Sequence, residues 1–168
     1  MPTTHPGLND LPKVVDVMSA LGRIPCPDLP LKQAEQRWAD YVHDDSALSL
    51  LRGDSLLHTD FNPLSILISS EDKHIVDWAW PTRGAAWIDP ACFVLRLMAA
   101  GHTPAGAESW AARTAAWTTV PTEGITMFAE ASRRMWEQIA QSDPQPWKKQ
   151  LARVARHWAD YRFSLLAD

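Results

Sequence analysis

The sequence predicts a mainly α protein with one short β-hairpin, an α+β fold in a single domain spanning residues 1–168. Three observations carry this. Near the C-terminus an apolar stripe runs through Trp147, Leu151, Val154, Trp158, Tyr161 and Leu165, spaced alternately four and three apart, the period of a helix with one buried face. Two short runs rich in β-branched residues, SILIS at 65–69 and HIVDWAW at 74–80, are separated by polar Glu71, Asp72 and Lys73, the pattern of a hairpin. The length, 168 residues, is that of one domain able to bury roughly 70% of its unfolded surface without staples.

The elements follow in order. Residues 1–10 read as a flexible polar lead-in, and 11–52 as helices. The first helix, 11–22, puts Val14, Val15, Met18 and Leu21 mostly on one side, and the prolines of RIPCPDLP end it. A longer helix is expected over 31–52, with Ala34, Trp38, Tyr41 and Val42 on one stripe and Asp44–Asp45 as an interruption. Gly53 and Asp54 make a turn. Residues 54–80 hold an extended segment, a loop and the hairpin, and Pro81 to Ala86 reads as a loop. Residues 88–168 are helical again. The first of these helices, 89–100, is apolar almost all round, which predicts a central, buried helix. Thr103 followed by Pro104 is a helix start, Thr as cap and Pro in the first turn. Another helix is expected at 123–140, and the last begins near Asp143–Pro144. Its basic residues Lys148, Lys149, Arg153, Arg156 and Arg162 lie off the stripe and read as a solvated face.

Composition narrows the function classes. With 46% hydrophobic and 21% charged residues the chain is globular rather than disordered or coiled-coil. The net charge is −4 and no third of the chain is basic enough to attract nucleic acid by charge alone. No secretory leader is visible, and the most apolar stretch, 91–100, is short and interrupted by Arg96, so the expectation is a soluble cytoplasmic protein without a membrane partner. Cys26 and Cys92 lie far apart without a C-x-x-C, and free thiols are expected. G-x-S-x-G, H-E-x-x-H and a Cys–His arrangement are absent, so hydrolase and zinc chemistry find no support. Thirteen prolines against seven glycines favour short, stiff connections, and most of the nine tryptophans are expected in the core.

The stretch LLHTDFNPLSILISSEDKHIVDWAW carries the chemistry. His58 and Asp60 end an extended segment, and Asp77 follows seventeen residues after Asp60 in a strand-like run. A hairpin folding back can bring Asp60 and Asp77 to one end, and two such carboxylates suit phosphoryl transfer: one orients a hydroxyl proton, the other holds Mg²⁺ against nucleotide phosphates. The segment resembles the catalytic core of the aminoglycoside phosphotransferase and choline kinase-like family, relatives of protein kinases. That family has a catalytic loop H-x-D-x-x-x-x-N, then a hairpin leading to an Asp followed by Trp or Phe, then a D-P-A that opens a helix. Here these are H-T-D-F-N-P-L-S (58–65), I-V-D-W (75–78) and I-D-P-A (88–91). The resemblance implies a kinase-like C-terminal lobe, ATP and Mg²⁺ as cofactors, and transfer of phosphate to a hydroxyl of a small molecule. It implies Asp60 as catalytic base, His58 packed within the catalytic loop, and Asp77 as the Mg²⁺ ligand. Ser65 stands where the family has its second metal ligand, an Asn, and Asn62 lies three residues early as a neighbouring candidate for holding the cofactor.

Two departures shape the expectation. Phe93 occupies the place of an aspartate that braces the family's catalytic loop, so packing is expected where the family has a polar brace. Upstream of His58 there is no glycine-rich phosphate loop and no lysine in a strand-like context, so the chain reads as a truncated C-lobe without its N-lobe. Two alternatives to an active kinase stand beside the first reading. One is a pseudokinase-type binding module whose uncovered face meets a partner protein or a second copy of the chain. The other is a pocket repurposed for a different small molecule, with Trp78, Trp80 and Trp87 near the site as stacking surfaces.

Overall fold

The computed structural model describes residues 8–69 and 72–167. Most of the expected lead-in, residues 1–7, lies outside the described residues, and Leu8–Asp10 forms a 3-10 turn leading into the first helix. The fold is mostly helical with two small sheets, a mainly α, α+β class. The helices are α1 (Leu11–Leu21), α2 (Ala34–Trp38), α3 (Asp45–Ser49), α4 (Ile88–Ala99), α5 (Pro104–Ala111), α6 (Thr122–Ser142) and α7 (Pro146–Ser164). The strands are β1 (Lys32–Gln33), β2 (Ser55–Leu57), β3 (Ile66–Ile68), β4 (Lys73–Ile75) and β5 (Thr82–Gly84).

The expected hairpin is present as β3 and β4, antiparallel, with Ile66 opposite Ile75 and Ile68 opposite Lys73. Its second arm is shorter than the sequence pattern. A last bond from Val76 N–H to Ser65 O, 2.8 Å, extends the pairing, and Asp77 then takes a left-handed backbone at φ 60°, which no strand can pass through. The chain returns to extended form at β5, in the stretch expected to be loop. There β5 is the middle strand of a second sheet, parallel to β1 and antiparallel to β2. Gly84 makes this sheet possible: a Cβ there would stand 2.6 Å from Ala34 Cβ and 2.9 Å from Leu57 Cδ1, so only glycine lets β5 lie against α2 and β2.

The expected helix over 31–52 is broken three ways. Lys32 and Gln33 pair with β5, Val42 is extended, and Asp44 caps α3 by accepting from Ser46 N–H at 2.9 Å. The helix expected from Thr103 onward ends at Ala111, and a 3-10 turn, Ala115–Thr119, carries Trp117 into the core. Thr103 caps α5 as expected, accepting from Gly106 N–H at 3.1 Å.

α4 is central, with Ile88, Ala91, Phe93, Val94, Leu95, Leu97 and Met98 all buried. Phe128 of α6 packs between Trp38 of α2 (5.2 Å) and Trp87 (5.4 Å), tying the helices together. Burying one such tryptophan contributes about 4–6 kcal/mol of transfer free energy before entropy is counted. α6 and α7 pack against each other, but the buried face of α7 is not the whole predicted stripe: Leu151 and Trp158 are buried, whereas Trp147 and Leu165 are exposed. Arg162, expected on the solvated face, is buried. It pairs with Glu108 at 3.1 Å, donates to Thr122 O at 2.9 Å, and shares Glu108 with the Trp158 indole N–H at 2.7 Å. A buried cation is tolerated because its carboxylate and further acceptors surround it. Both cysteines are free. Among the described residues no helix is long and apolar enough to cross a membrane.

Candidate active site

β2 ends at Leu57 and delivers His58, Thr59 and Asp60 in sequence. Asp89, in the first turn of α4, is buried and accepts from both backbone groups of this loop: His58 N–H to Oδ2 at 2.9 Å and Thr59 N–H to Oδ1 at 2.7 Å. Charge-assisted bonds of this kind are the stronger class. They hold Thr59 in a left-handed conformation, φ 63°, which is costly for a β-branched residue. Thr59 Oγ1 also donates to Trp80 O at 2.8 Å. Burial outweighs the two backbone donors, which pull the other way, and leaves the Asp89 carboxyl pushed up to about 6. The polar brace expected to be lost is therefore present. Asp89 supplies it, and Phe93, one turn on, is a core residue.

His58 is fully buried and joins two loops. Its Nδ1 accepts from Asp60 N–H at 3.2 Å and its Nε2 lies 3.0 Å from Val76 O, a pair of contacts satisfied with the proton on Nε2. The ring also meets Trp78 edge-on at 4.9 Å and Phe61 at 5.5 Å. Val76 and Trp78 flank Asp77, so the hairpin does bring the Asp60 and Asp77 loops together, with His58 between them. His58 is thus fixed from both sides.

The two carboxylates then differ. Asp60 lines a cavity of about 470 Å³; Asp77 is exposed and is not among the residues lining it. Ser65 and Asn62, expected near Asp77 as ligands, are engaged elsewhere. A 3-10 turn, Pro63–Ser65, folds Asn62 over Ser65, so that the Asn62 amide donates to Ser65 Oγ at 2.9 Å and its Oδ1 caps the turn by accepting from Leu64 N–H at 2.8 Å. Ser65 is itself buried. Among the described residues no group of three or more His, Cys, Asp or Glu side chains is placed to hold a metal. Mg²⁺ carried on nucleotide phosphates needs only one or two carboxylates, and the exposed Asp77 fits that smaller demand; Ser65 and Asn62 do not add to it.

The cavity is aromatic and cationic. One wall is α2 and its following turn with Arg37, Trp38 and Tyr41; the opposite wall is α6 and α7 with Phe128, Trp136 and Trp147; Asp60, Phe61, Leu95 and Arg96 lie between. Arg96 Nη2 binds Asp60 Oδ1 at 2.6 Å and its guanidinium lies 5.7 Å from the Trp136 ring. Asp60 Oδ2 has no hydrogen bond among the described residues. The sequence reading missed Arg96 and Arg37 as site residues. The signal for Arg96 was available: it interrupts an apolar helix seven residues after Asp89, two turns on, so the two share the face of α4 turned to the loop of His58, Thr59 and Asp60. Cys92, between them on that face, also lines the cavity, and burial pushes its thiol up, away from the reactive thiolate. Of the three tryptophans expected near the site, Trp80 lines the cavity, Trp78 covers His58, and Trp87 belongs to the core.

Comparison with family models, with curated proteins and with solved structures returned no match.

Proposed function

We propose that this chain is the acceptor-binding lobe of a small-molecule phosphotransferase, derived from the aminoglycoside phosphotransferase and choline kinase-like family that its H-T-D, I-V-D-W and I-D-P-A motifs resemble. The observation that carries the reading is Asp60: a cavity-lining carboxylate with one oxygen on Arg96 and the other without a hydrogen bond among the described residues, on a loop whose backbone is fixed by buried Asp89. An acceptor hydroxyl placed against Oδ2 is oriented by it and gives up its proton to it as the hydroxyl oxygen bonds to the terminal phosphorus of ATP and the bond from that phosphorus to its bridging oxygen breaks, with ADP as the leaving group. The loose transition state of phosphoryl transfer asks for positioning more than for a strong base, so a carboxylate paired with Arg96 suffices. His58 sets the position of Asp60 relative to Asp77. Asp77 is the residue that would hold Mg²⁺, which when bound neutralises charge on the transferring phosphate.

Calorimetric titration with ATP and Mg²⁺ tests this. Binding by the parent that is lost in Asp77→Asn supports the reading; no binding in either overturns it for the isolated chain. A second reading, a binding module without transfer, is favoured by one observation. Leu64, Trp78 and Trp80 stand 67%, 38% and 58% exposed around the catalytic loop, large apolar side chains of the kind that mark an interaction surface. On that reading sedimentation finds the chain self-associated at high concentration, and a strictly monomeric species removes self-association.

A further inference from the structure

The charges around Asp60 do not suit a polycationic acceptor. Four cations line the cavity, Lys32, Arg37, Arg96 and Lys148, against the single carboxylate of Asp60. Arg96 is engaged by Asp60, and Lys148 by Asp143. Arg37 and Lys32 have no carboxylate partner among the described residues. Arg37 is also held in place: Nε donates to Thr82 Oγ1 at 2.9 Å, Nη2 reaches Trp80 O at 3.5 Å, and the guanidinium lies 5.5 Å from the Trp80 ring. It is half-buried, so its charge is only weakly screened by water. The Trp80 ring beside it is 58% exposed, an open flat surface next to an uncompensated cation. A guanidinium fork pairs with carboxylate or phosphate, and a planar indole stacks on a planar ring. A cavity of about 470 Å³ is in the range that encloses a small organic molecule.

We propose that the cavity beside Asp60 takes an anionic molecule bearing a flat ring, an aryl carboxylate or aryl phosphate, with the anion on Arg37 and the ring on Trp80, and that it rejects polycations. That this molecule is the phosphoryl acceptor rests on the reading above; that the cavity binds it does not.

Binding is read from tryptophan fluorescence, since Trp80, Trp136 and Trp147 line the cavity. The whole chain is titrated without ATP or Mg²⁺, so a failure here is separate from a failure of the phosphotransferase reading. The probes are phenyl phosphate, 4-hydroxybenzoate, benzyl alcohol, inorganic phosphate, AMP and spermine. Saturable quenching by phenyl phosphate and 4-hydroxybenzoate is expected, at least tenfold weaker with benzyl alcohol or inorganic phosphate and absent with spermine. Added salt weakens the two aryl anions. Arg37→Gln weakens phenyl phosphate at least tenfold. Because Arg37 also bonds to Thr82 and Trp80, Lys32→Glu is the control for folding: Lys32 is exposed, and reversing its charge weakens binding several-fold while the circular dichroism stays native. The proposal is overturned if spermine binds as well as phenyl phosphate, if benzyl alcohol does, if the aryl anions show no saturable binding, or if both variants keep the parent affinity. Tighter binding of AMP than of phenyl phosphate makes the anion a nucleotide and overturns the acceptor role.

Discussion

Thr59 and Asp77 both hold a left-handed backbone, at φ 63° and 60°, on the two loops that meet at His58. Their surroundings are opposite. Thr59 has its N–H on Asp89, its hydroxyl on Trp80 O, and a buried helix end beneath it. Asp77 is exposed, and its carboxylate has no hydrogen bond among the described residues. Strain of about 1–3 kcal/mol persists only where neighbours over-determine it. At Thr59 those neighbours are visible. At Asp77 the residue type does part of the work, because Asp tolerates the left-handed region far better than a β-branched residue does. The difference separates the site into a rigid half, built to position Asp60, and an open half that presents a carboxylate to solvent.

The comparison is broken most severely at Asp89. Asp89→Ala leaves two N–H groups unpaired beneath a strained loop, at a cost of about 2–4 kcal/mol. For a chain of this size that lowers Tm by roughly 5–15 °C. The effect carries a pH signature. The native carboxyl, pushed up to about 6 from an ordinary 3.8, keeps its proton in the folded chain where the unfolded chain has lost it. Its contribution to stability is therefore complete below about pH 4 and falls as pH rises through 6. Thermal melts of native and variant protein across this window should show the widest gap at the acid end and a narrowing towards neutrality. A gap that widens with pH would mean that the two backbone donors outweigh burial.

Much of this arrangement was legible in the sequence, and the exceptions have physical causes. The hairpin and the end helix have periods long enough to read: SILIS against HIV, and the spacing of Leu151 and Trp158. The sheet of β1, β5 and β2 was invisible because strands of two and three residues carry no period, and its signal, Gly84, is a close approach that only the folded chain defines. Arg162 was misplaced for a related reason. A helical wheel assigns a face but not what packs on it, and its partner Glu108 lies 54 residues away. In the site, H-x-D and Asp77 could be found as motifs. The brace that Asp89 supplies could not, since an aspartate opening a helix gives no sign that it accepts from a loop 30 residues earlier.

The smaller effects sharpen the contrast between the two left-handed residues. Thr59→Val keeps the β-branched shape and removes the hydroxyl bonded to Trp80 O, which should cost about 1 kcal/mol. Asp77→Asn keeps the size, tolerates the same backbone and breaks no hydrogen bond of the carboxylate among the described residues, so its stability should lie within about 0.5 kcal/mol of the parent. Denaturant unfolding of the two variants measures the difference directly. A near-native Asp77→Asn makes loss of ATP and Mg²⁺ binding in that variant a statement about chemistry and not about folding. If Asp77→Asn instead costs as much as Thr59→Val, the carboxylate is holding its own turn together, and the open half of the site is structural.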